Sequence, residues 1–320
     1  MTIIGITGAN GYIGTYLIRA LFNSPGTQIK AFAHSKKPSD IVAPNVQYIY
    51  GDIRDEKKQN EFLENVDVVV HLAAKLGQGT WKDFESINIR ATENLLIKSK
   101  AYKVKRFIYI STIEVYGFFK KRLINENENI RPCGHFYSDS KLKAEQLVRD
   151  ICSSKQIEWI ILRPGMVFGE GSKFWYERLH KQALDSRIPI VDAGKGLVYP
   201  VNIQDLVLFT QTLISDSLIR DQIYNVCLPK KVTWKDVVDH YSRVLEIEAG
   251  KKIPAWKIFL RSVIRSIKNG SKSKEYEVYT RKSIIQSDKI TNSLGCLYKY
   301  DFYQTMEHGR EWLLSKKEDL

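Results

Sequence analysis

Tyr137 and Lys141, four residues apart in the run Tyr-Ser-Asp-Ser-Lys, are the pair in this chain best equipped for chemistry. On a helix, positions i and i+4 share a face, so both side chains can address one spot. An ammonium beside a phenol favours the phenolate, which makes the tyrosine an acid/base usable near neutral pH. Far upstream, residues 7 to 14 read Thr-Gly-Ala-Asn-Gly-Tyr-Ile-Gly. Gly8 permits a tight turn, Gly11 lets backbone approach a pyrophosphate, and Gly14 lets a helix pack closely. The start of that helix then faces the phosphates. Each motif alone has a plain structural reading, as a glycine turn or a helix-surface pair. Together they describe a bound dinucleotide with a proton donor and acceptor beside it.

The elements needed to hold these residues are legible in the hydrophobic pattern. Residues 2 to 6 read as a buried strand, followed by the glycine turn and a helix from about Tyr12 to Phe22. Strand, glycines and helix in that order are the context the fingerprint requires. Further strands are predicted at Gln28–Ala33, Val46–Tyr50, Asp67–Leu72, Arg106–Ser111 and Trp159–Leu162, with a helical stretch over Phe84–Ala101. Val68-Val69-Val70 is an apolar run of the kind buried on both faces of a parallel sheet. Strands alternating with helices predict a doubly wound α/β fold, a parallel sheet covered on both sides. Beyond about Gly165 the alternation becomes irregular and basic and aromatic residues increase, as expected of a smaller C-terminal substrate-binding lobe. The expected domains are 1–165, completed by about 199–228, and a lobe of 166–198 and 229–320. Gly270 to Lys274 reads as an exposed loop.

Composition bounds the rest. A chain of 320 residues with 43% apolar content has the profile of a globular protein with a full core. No apolar run reaches the length of a membrane span, and Met1 is followed by the strand-like Ile3-Ile4-Gly5-Ile6 and not by the charged, apolar, small-residue series expected of a secretory signal. Cys133, Cys152, Cys227 and Cys296 are dispersed, which argues against a disulfide framework or a metal site and predicts a cytoplasmic location. The formal charge of +13 suits phosphate-bearing ligands, nucleic acid or anionic lipid, or else a lysine-rich solvated surface.

About twenty residues past a dinucleotide fingerprint, NAD-binding sheets usually carry an acidic residue for the ribose 2′-hydroxyl. Here the strand ends Ala33-His34-Ser35-Lys36-Lys37, with positive charge and no carboxylate. His34 and Lys36 therefore predict a 2′-phosphate, hence NADP, with NAD as the alternative.

At this point the chain resembles the extended short-chain dehydrogenase/reductase family, also called the NAD-dependent epimerase/dehydratase family. Thr7 to Gly14, including Asn10, Tyr12 and Ile13, has that family's TGxxGxxG form. Gly51-Asp52-Ile53-Arg54-Asp55 resembles its adenine-contacting strand end, with Asp52 and Ile53 as the binding pair. His71-Leu72-Ala73-Ala74 resembles its cofactor-lining fourth strand. Ser111-Thr112-Ile113-Glu114-Val115-Tyr116-Gly117 resembles its catalytic segment and places Thr112 at the catalytic hydroxyl. Arg163-Pro164-Gly165-Met166-Val167 resembles the segment that closes over the nicotinamide, with Pro164 and Val167 as contacts. Tyr199–Leu206 and Tyr224-Asn225-Val226 match later sheet segments. The resemblance implies a Rossmann-type fold. It implies that Tyr137 exchanges a proton with a substrate oxygen, that Lys141 holds the nicotinamide ribose and lowers the tyrosine pKa, and that Thr112 hydrogen-bonds the same oxygen. Sugar dehydratases of the family carry an Asp-Glu pair after the threonine. Ile113-Glu114 stands here, which disfavours water elimination, and Glu114 is expected to be structural.

Three functions follow. The first is an NADP-dependent reductase or epimerase acting on a nucleotide-activated sugar. The second is a 3β-hydroxysteroid-dehydrogenase-like oxidoreductase acting on an apolar or lipid-linked alcohol. The third is a non-catalytic dinucleotide sensor, which has no need of intact Thr112, Tyr137 and Lys141. The partner is expected to be a small molecule and not nucleic acid, and a homodimer stays open. Phe174, Trp175, Tyr176, Trp234, Trp256 and Phe259 are expected mostly as core. Trp256, Phe259, Leu260, Val263, Ile264 and Ile267 form a helical stripe, with Lys257, Arg261, Arg265 and Lys268 on other faces. The stripe is expected to pack on the lobe with its basic face in water. The rival reading is peripheral contact of residues 251–274 with an anionic membrane.

Overall fold

The structure, a computed structural model, describes residues 1–37, 41–119 and 121–308. Residues 309–320, the end of the expected lobe, lie outside the described residues. Seven strands share one sheet: β1 (Thr2–Thr7), β2 (Thr27–Ala33), β3 (Val46–Tyr50), β4 (Val68–His71), β5 (Arg106–Ile110), β6 (Glu158–Pro164) and β7 (Gln222–Val226). Their order is β7-β6-β5-β4-β1-β2-β3. Each pairing from β3 through β6 is parallel. The chain winds outward from β1 in one direction and returns to wind in the other from β4. In sheets of this topology ligands bind where the winding reverses, which here is at the carboxyl ends of β1 and β4. Every residue of β4 is buried, as its unbroken apolar run requires in a strand covered on both faces.

The chain groups into two compact units. The first comprises residues 1–115, 136–163 and 207–224. It holds helices α1 (Tyr12–Leu21), α2 (Glu56–Leu63), α3 (Ala91–Ala101) and α4 (Phe136–Lys155). Helix α1 turns Leu17, Ile18 and Leu21 inward. Helix α2 starts at Asp55, whose carboxylate accepts the Lys57 N–H at 2.8 Å. The pattern over 84–101 predicts one regular helix. The structure instead inserts a π-helical turn at Glu85–Arg90 ahead of α3. That turn carries the buried Asn88, whose amide donates to Ser140 Oγ on α4 at 2.9 Å. Its Oδ1 also accepts the Lys75 N–H at 2.7 Å. Such π turns recur at functional sites, where they redirect one side chain.

The second unit comprises residues 116–135, 164–206 and 225–320 and has its own core, built on Phe168, Tyr176, Leu179, Trp234, Val237 and Tyr241. Helix α5 (Ile203–Ser215) runs across the division, and α6 (Trp234–Leu245), α7 (Ala255–Asn269) and α8 (Glu275–Thr280) belong to the second unit. A reciprocal cap between Thr233 and Asp236 starts α6. Gly270, at φ 61°, ends α7 in the left-handed conformation that glycine adopts without a Cβ penalty.

Three expectations are corrected here. The apolar stripe of α7 does not pack on the lobe. The inward residues are Ile258 and Ser262, and Trp256, Phe259, Leu260, Val263, Ile264 and Ile267 are all exposed. Helical geometry is the reason, since the stripe lies on an arc away from the inward residues. Of the aromatics, Tyr176 and Trp234 are core, while Phe174, Trp256 and Phe259 face outward. The Gly270–Lys274 loop is not exposed throughout. Lys274 is buried, with its Nζ 5.7 Å above the Phe119 ring, so its charge is partly compensated by the ring face. No helix among the described residues is long and apolar enough to cross a membrane.

Candidate active site

The carboxyl ends of β1 and β4 are tied by side chains before any ligand is considered. The Thr7 hydroxyl accepts the N–H groups of Leu72 and Ala73, each at 3.1 Å, and donates to His71 Nδ1 at 2.7 Å. The remaining proton of His71 then sits on Nε2, which meets Thr92 Oγ1 at 2.8 Å. Burial pushes the His71 pKa down to about 3, helped by the Lys141 charge, so the ring stays neutral. The strand ends approach too closely for any side chain at Gly8. A Cβ there would lie 2.9 Å from Ala73 N, at a backbone φ of 65°. A Cβ on Gly14 would lie 2.4 Å from the Gly8 carbonyl, and one on Gly11 3.0 Å from the same oxygen. Helix α1 starts at Gly11 with no side-chain cap, and a helix N-terminus of this kind suits an anionic group. These features fit a dinucleotide pyrophosphate.

The adenosine end predicted from the sequence also gathers here. Asn10 Nδ2 donates to Ser35 O at 2.5 Å, and Lys37 Nζ donates to Asn10 O at 2.9 Å, which fastens the glycine loop to the end of β2. His34 and Lys36 are exposed. The Arg54 guanidinium grips Asp52 at 2.5 Å and holds its carboxyl below the usual range, with a smaller contribution from His34. Ile53 is half-buried and its carbonyl accepts from Gln59 at 2.8 Å. Leu72, Ala73 and Ala74 are half-buried at the end of β4.

Thr112, Tyr137 and Lys141 belong to the same unit. Thr112 Oγ1 accepts the Glu114 N–H at 3.2 Å and hydrogen-bonds the Tyr137 phenol, which favours the phenolate. Lys141, one turn along α4, is only 2% exposed. Its Nζ donates to Ile110 O at 2.7 Å and lies 4.0 Å from the centre of the Tyr109 ring. Burial pulls the lysine pKa from 10.5 to about 7, against the Glu145 carboxylate, which raises it. The expected fall in the tyrosine pKa is not found. Burial of the phenol raises it above the usual value, and the Glu114 charge adds to the rise, outweighing the Thr112 hydrogen bond. At the end of β5, Ser111 Oγ is buried with no hydrogen-bond partner among the described residues, a polar atom that a ligand could satisfy. Pro164 ends β6, and Val167 lies in the short strand Met166–Phe168, paired with Pro200–Asn202; both belong to the second unit.

The NAD dependent epimerase/dehydratase family matches residues 4–227. The chain belongs to this family. It is 27% identical over 256 residues to the N-acetyl-alpha-D-glucosaminyl-diphospho-ditrans,octacis-undecaprenol 4-epimerase of Escherichia coli O157:H7, covering 78% of this chain and 73% of that protein. It is 27% identical over 282 residues to the 3 beta-hydroxysteroid dehydrogenase/Delta 5-->4-isomerase of Monkeypox virus, covering 80% of each. Among solved structures, the UDP-glucuronic acid 4-epimerase of Bacillus cereus in complex with NAD aligns with a TM-score of 0.80 at 22% identity. The alignment covers 98% of this chain and 99% of that one and shows a shared fold.

In this epimerase/dehydratase chain, several residues around Lys141 are not among those the sequence predicts for the site. Glu145 lies one turn beyond Lys141 and is paired with Arg163 of β6 at 2.6 Å, both fully buried. Breaking such a pair by removing one partner typically costs about 3–5 kcal/mol. The Lys141–Glu145 spacing of four was a usable signal. Asn88 and Tyr109 gave none, because a π turn and a ring beneath an ammonium leave no spacing pattern.

The buried amine predicts a pH signature. The unfolded lysine titrates near 10.5 and the native one near 7. Between those values the unfolded state binds the extra proton, so this group makes stability rise with pH across that window. The buried thiols of Cys152 and Cys227, raised to about 12, act in the opposite sense above their ordinary range. Comparison with Lys141→Met isolates the lysine. The stability of wild type relative to the variant, from urea unfolding, is expected to climb between pH 7 and pH 10. A flat difference would show that the amine is not desolvated.

Proposed function

We propose that the chain is an NAD(P)-dependent oxidoreductase or epimerase that works at a carbinol or keto carbon of a sugar, carried on a nucleotide diphosphate. The observation that carries the reading is Thr112 bonded to the Tyr137 phenol, with Lys141 buried one turn away, in the same unit as a glycine loop too tight for side chains. A bound nicotinamide supplies the hydride acceptor or donor. Thr112 and Tyr137 hold the substrate oxygen, and the phenolic oxygen takes its proton on oxidation and returns it on reduction. Lys141, with a pKa near 7, holds the ribose hydroxyls and favours the phenolate when charged. Ile113 is buried and has no proton to give, which argues against water elimination. The E. coli and B. cereus relatives are named for diphosphate-linked sugars, which supports the sugar diphosphate as substrate class. The viral relative supports a second reading, an apolar alcohol.

Tyr137→Phe removes one oxygen. Turnover is expected to fall by about 10²–10⁴-fold, with cofactor affinity held in a binding titration. Activity near that of wild type would take Tyr137 out of the chemistry.

The cofactor is proposed to be NADP. His34 and Lys36 at the end of β2 are exposed, and no carboxylate stands among residues 34–37. Calorimetric titration at one ionic strength is expected to give tighter binding of NADP(H) than of NAD(H), and His34→Asp with Lys36→Asp should reverse the order. Equal affinities in wild type, or a preference for NAD(H), would refute the assignment.

A further inference from the structure

We propose that α7 is an in-plane membrane-docking helix that seats this protein on an anionic lipid surface. The helix meets its own unit through a narrow face, Ile258 and Ser262, with Ala255 and Ser266 half-buried beside them. That face is held by small polar contacts: Ser262 Oγ donates to Ser273 O at 3.1 Å, and Ser266 Oγ accepts the Ser273 N–H at 2.8 Å. The six large apolar residues point elsewhere, with Trp256 62% and Ile267 79% exposed. Positions 256, 260, 263 and 267 line up along the helix, with 259 and 264 flanking them. Single exposed apolar residues are ordinary on protein surfaces, but six contiguous ones on one helix mark a contact surface.

The charges around the stripe select the occupant. Lys257, Arg261, Arg265 and Lys268 run along one flank of it. Residues 251–274 contain eight Lys and Arg and no Asp or Glu. The nearest carboxylate, Glu275, pairs with Arg261 at 2.7 Å and Arg265 at 3.0 Å and leaves both half exposed. Lys257 Nζ sits 5.5 Å from the Trp256 ring, the amphipathic pairing that suits a headgroup boundary. At 15 residues the helix is about 22 Å long, short of the roughly 30 Å hydrocarbon core, so it lies in the interface and does not cross it. A second copy of the chain is a poorer occupant, because a two-fold contact sets the same basic flank against itself. Anionic lipid offers both an apolar interior for the stripe and negative headgroups for the flank.

The test is co-sedimentation of the full chain with vesicles of phosphatidylcholine alone and of phosphatidylcholine mixed with phosphatidylglycerol. Binding to the mixed vesicles is expected, weakened by salt and much lower on the neutral ones. Trp256→Ser, Ile264→Ser and Ile267→Ser combined should lower partitioning by roughly tenfold or more, with the melting temperature unchanged because the three side chains face outward. Lys257→Gln with Lys268→Gln should remove much of the preference for anionic lipid. Wild-type protein left in the supernatant with mixed vesicles would overturn the proposal. So would undiminished binding by the triple variant, or a solution dimer that the triple variant breaks without any lipid binding.

Discussion

A charged amine in a place that disfavours charge governs the first unit. Lys141 has lost nearly all its water, and an isolated ammonium there would be costly. The fold compensates with the Ile110 carbonyl, the face of the Tyr109 ring and the field of Glu145, and Arg163 in turn neutralises Glu145. Those partners come from β5, β6 and α4, so the positions of three elements are bound up with one side chain. The result is a lysine near its titration midpoint at neutral pH, whose charge a bound ligand can tip either way. His71 completes the layer: it stacks on Tyr109, stays neutral, and passes the constraint to Thr7 at the start of the glycine loop.

The tyrosine shows why the ligand matters. Considered alone, the phenol is a poorer acid than a solvated one, because burial and Glu114 both oppose its ionisation. Thr112 works the other way through one hydrogen bond. A cationic ring and a charged Lys141 nearby would shift that balance toward the phenolate. On the proposed function, ionisation of the phenol would then be coupled to occupancy of the site.

Much of this was legible in the sequence. The strands from β1 to β6 are each found within a few residues of their apolar runs, because parallel strands buried on both faces leave a continuous hydrophobic signal. The glycine loop was legible because close backbone approach admits no other residue at Gly8 or Gly14. What was not legible depends on tertiary surroundings. The π turn that carries Asn88, the direction of the Tyr137 shift and the Glu145–Arg163 pair all arise from burial, which spacing does not report. The outward face of α7 differs from expectation for a related reason: an amphipathic pattern shows that an apolar arc exists, not which neighbour covers it.

In the proposed reaction this set of residues moves a proton while a bound nicotinamide exchanges a hydride with a sugar carbon. The most direct measurement is a single-turnover mix of protein loaded with oxidised cofactor and a panel of nucleotide-diphosphate sugars, followed by the near-ultraviolet absorbance of the reduced nicotinamide. A sugar-dependent rise in that absorbance is expected, slowed when the reacting carbon carries deuterium. Tight cofactor binding with no reduction by any sugar of the panel would contradict it.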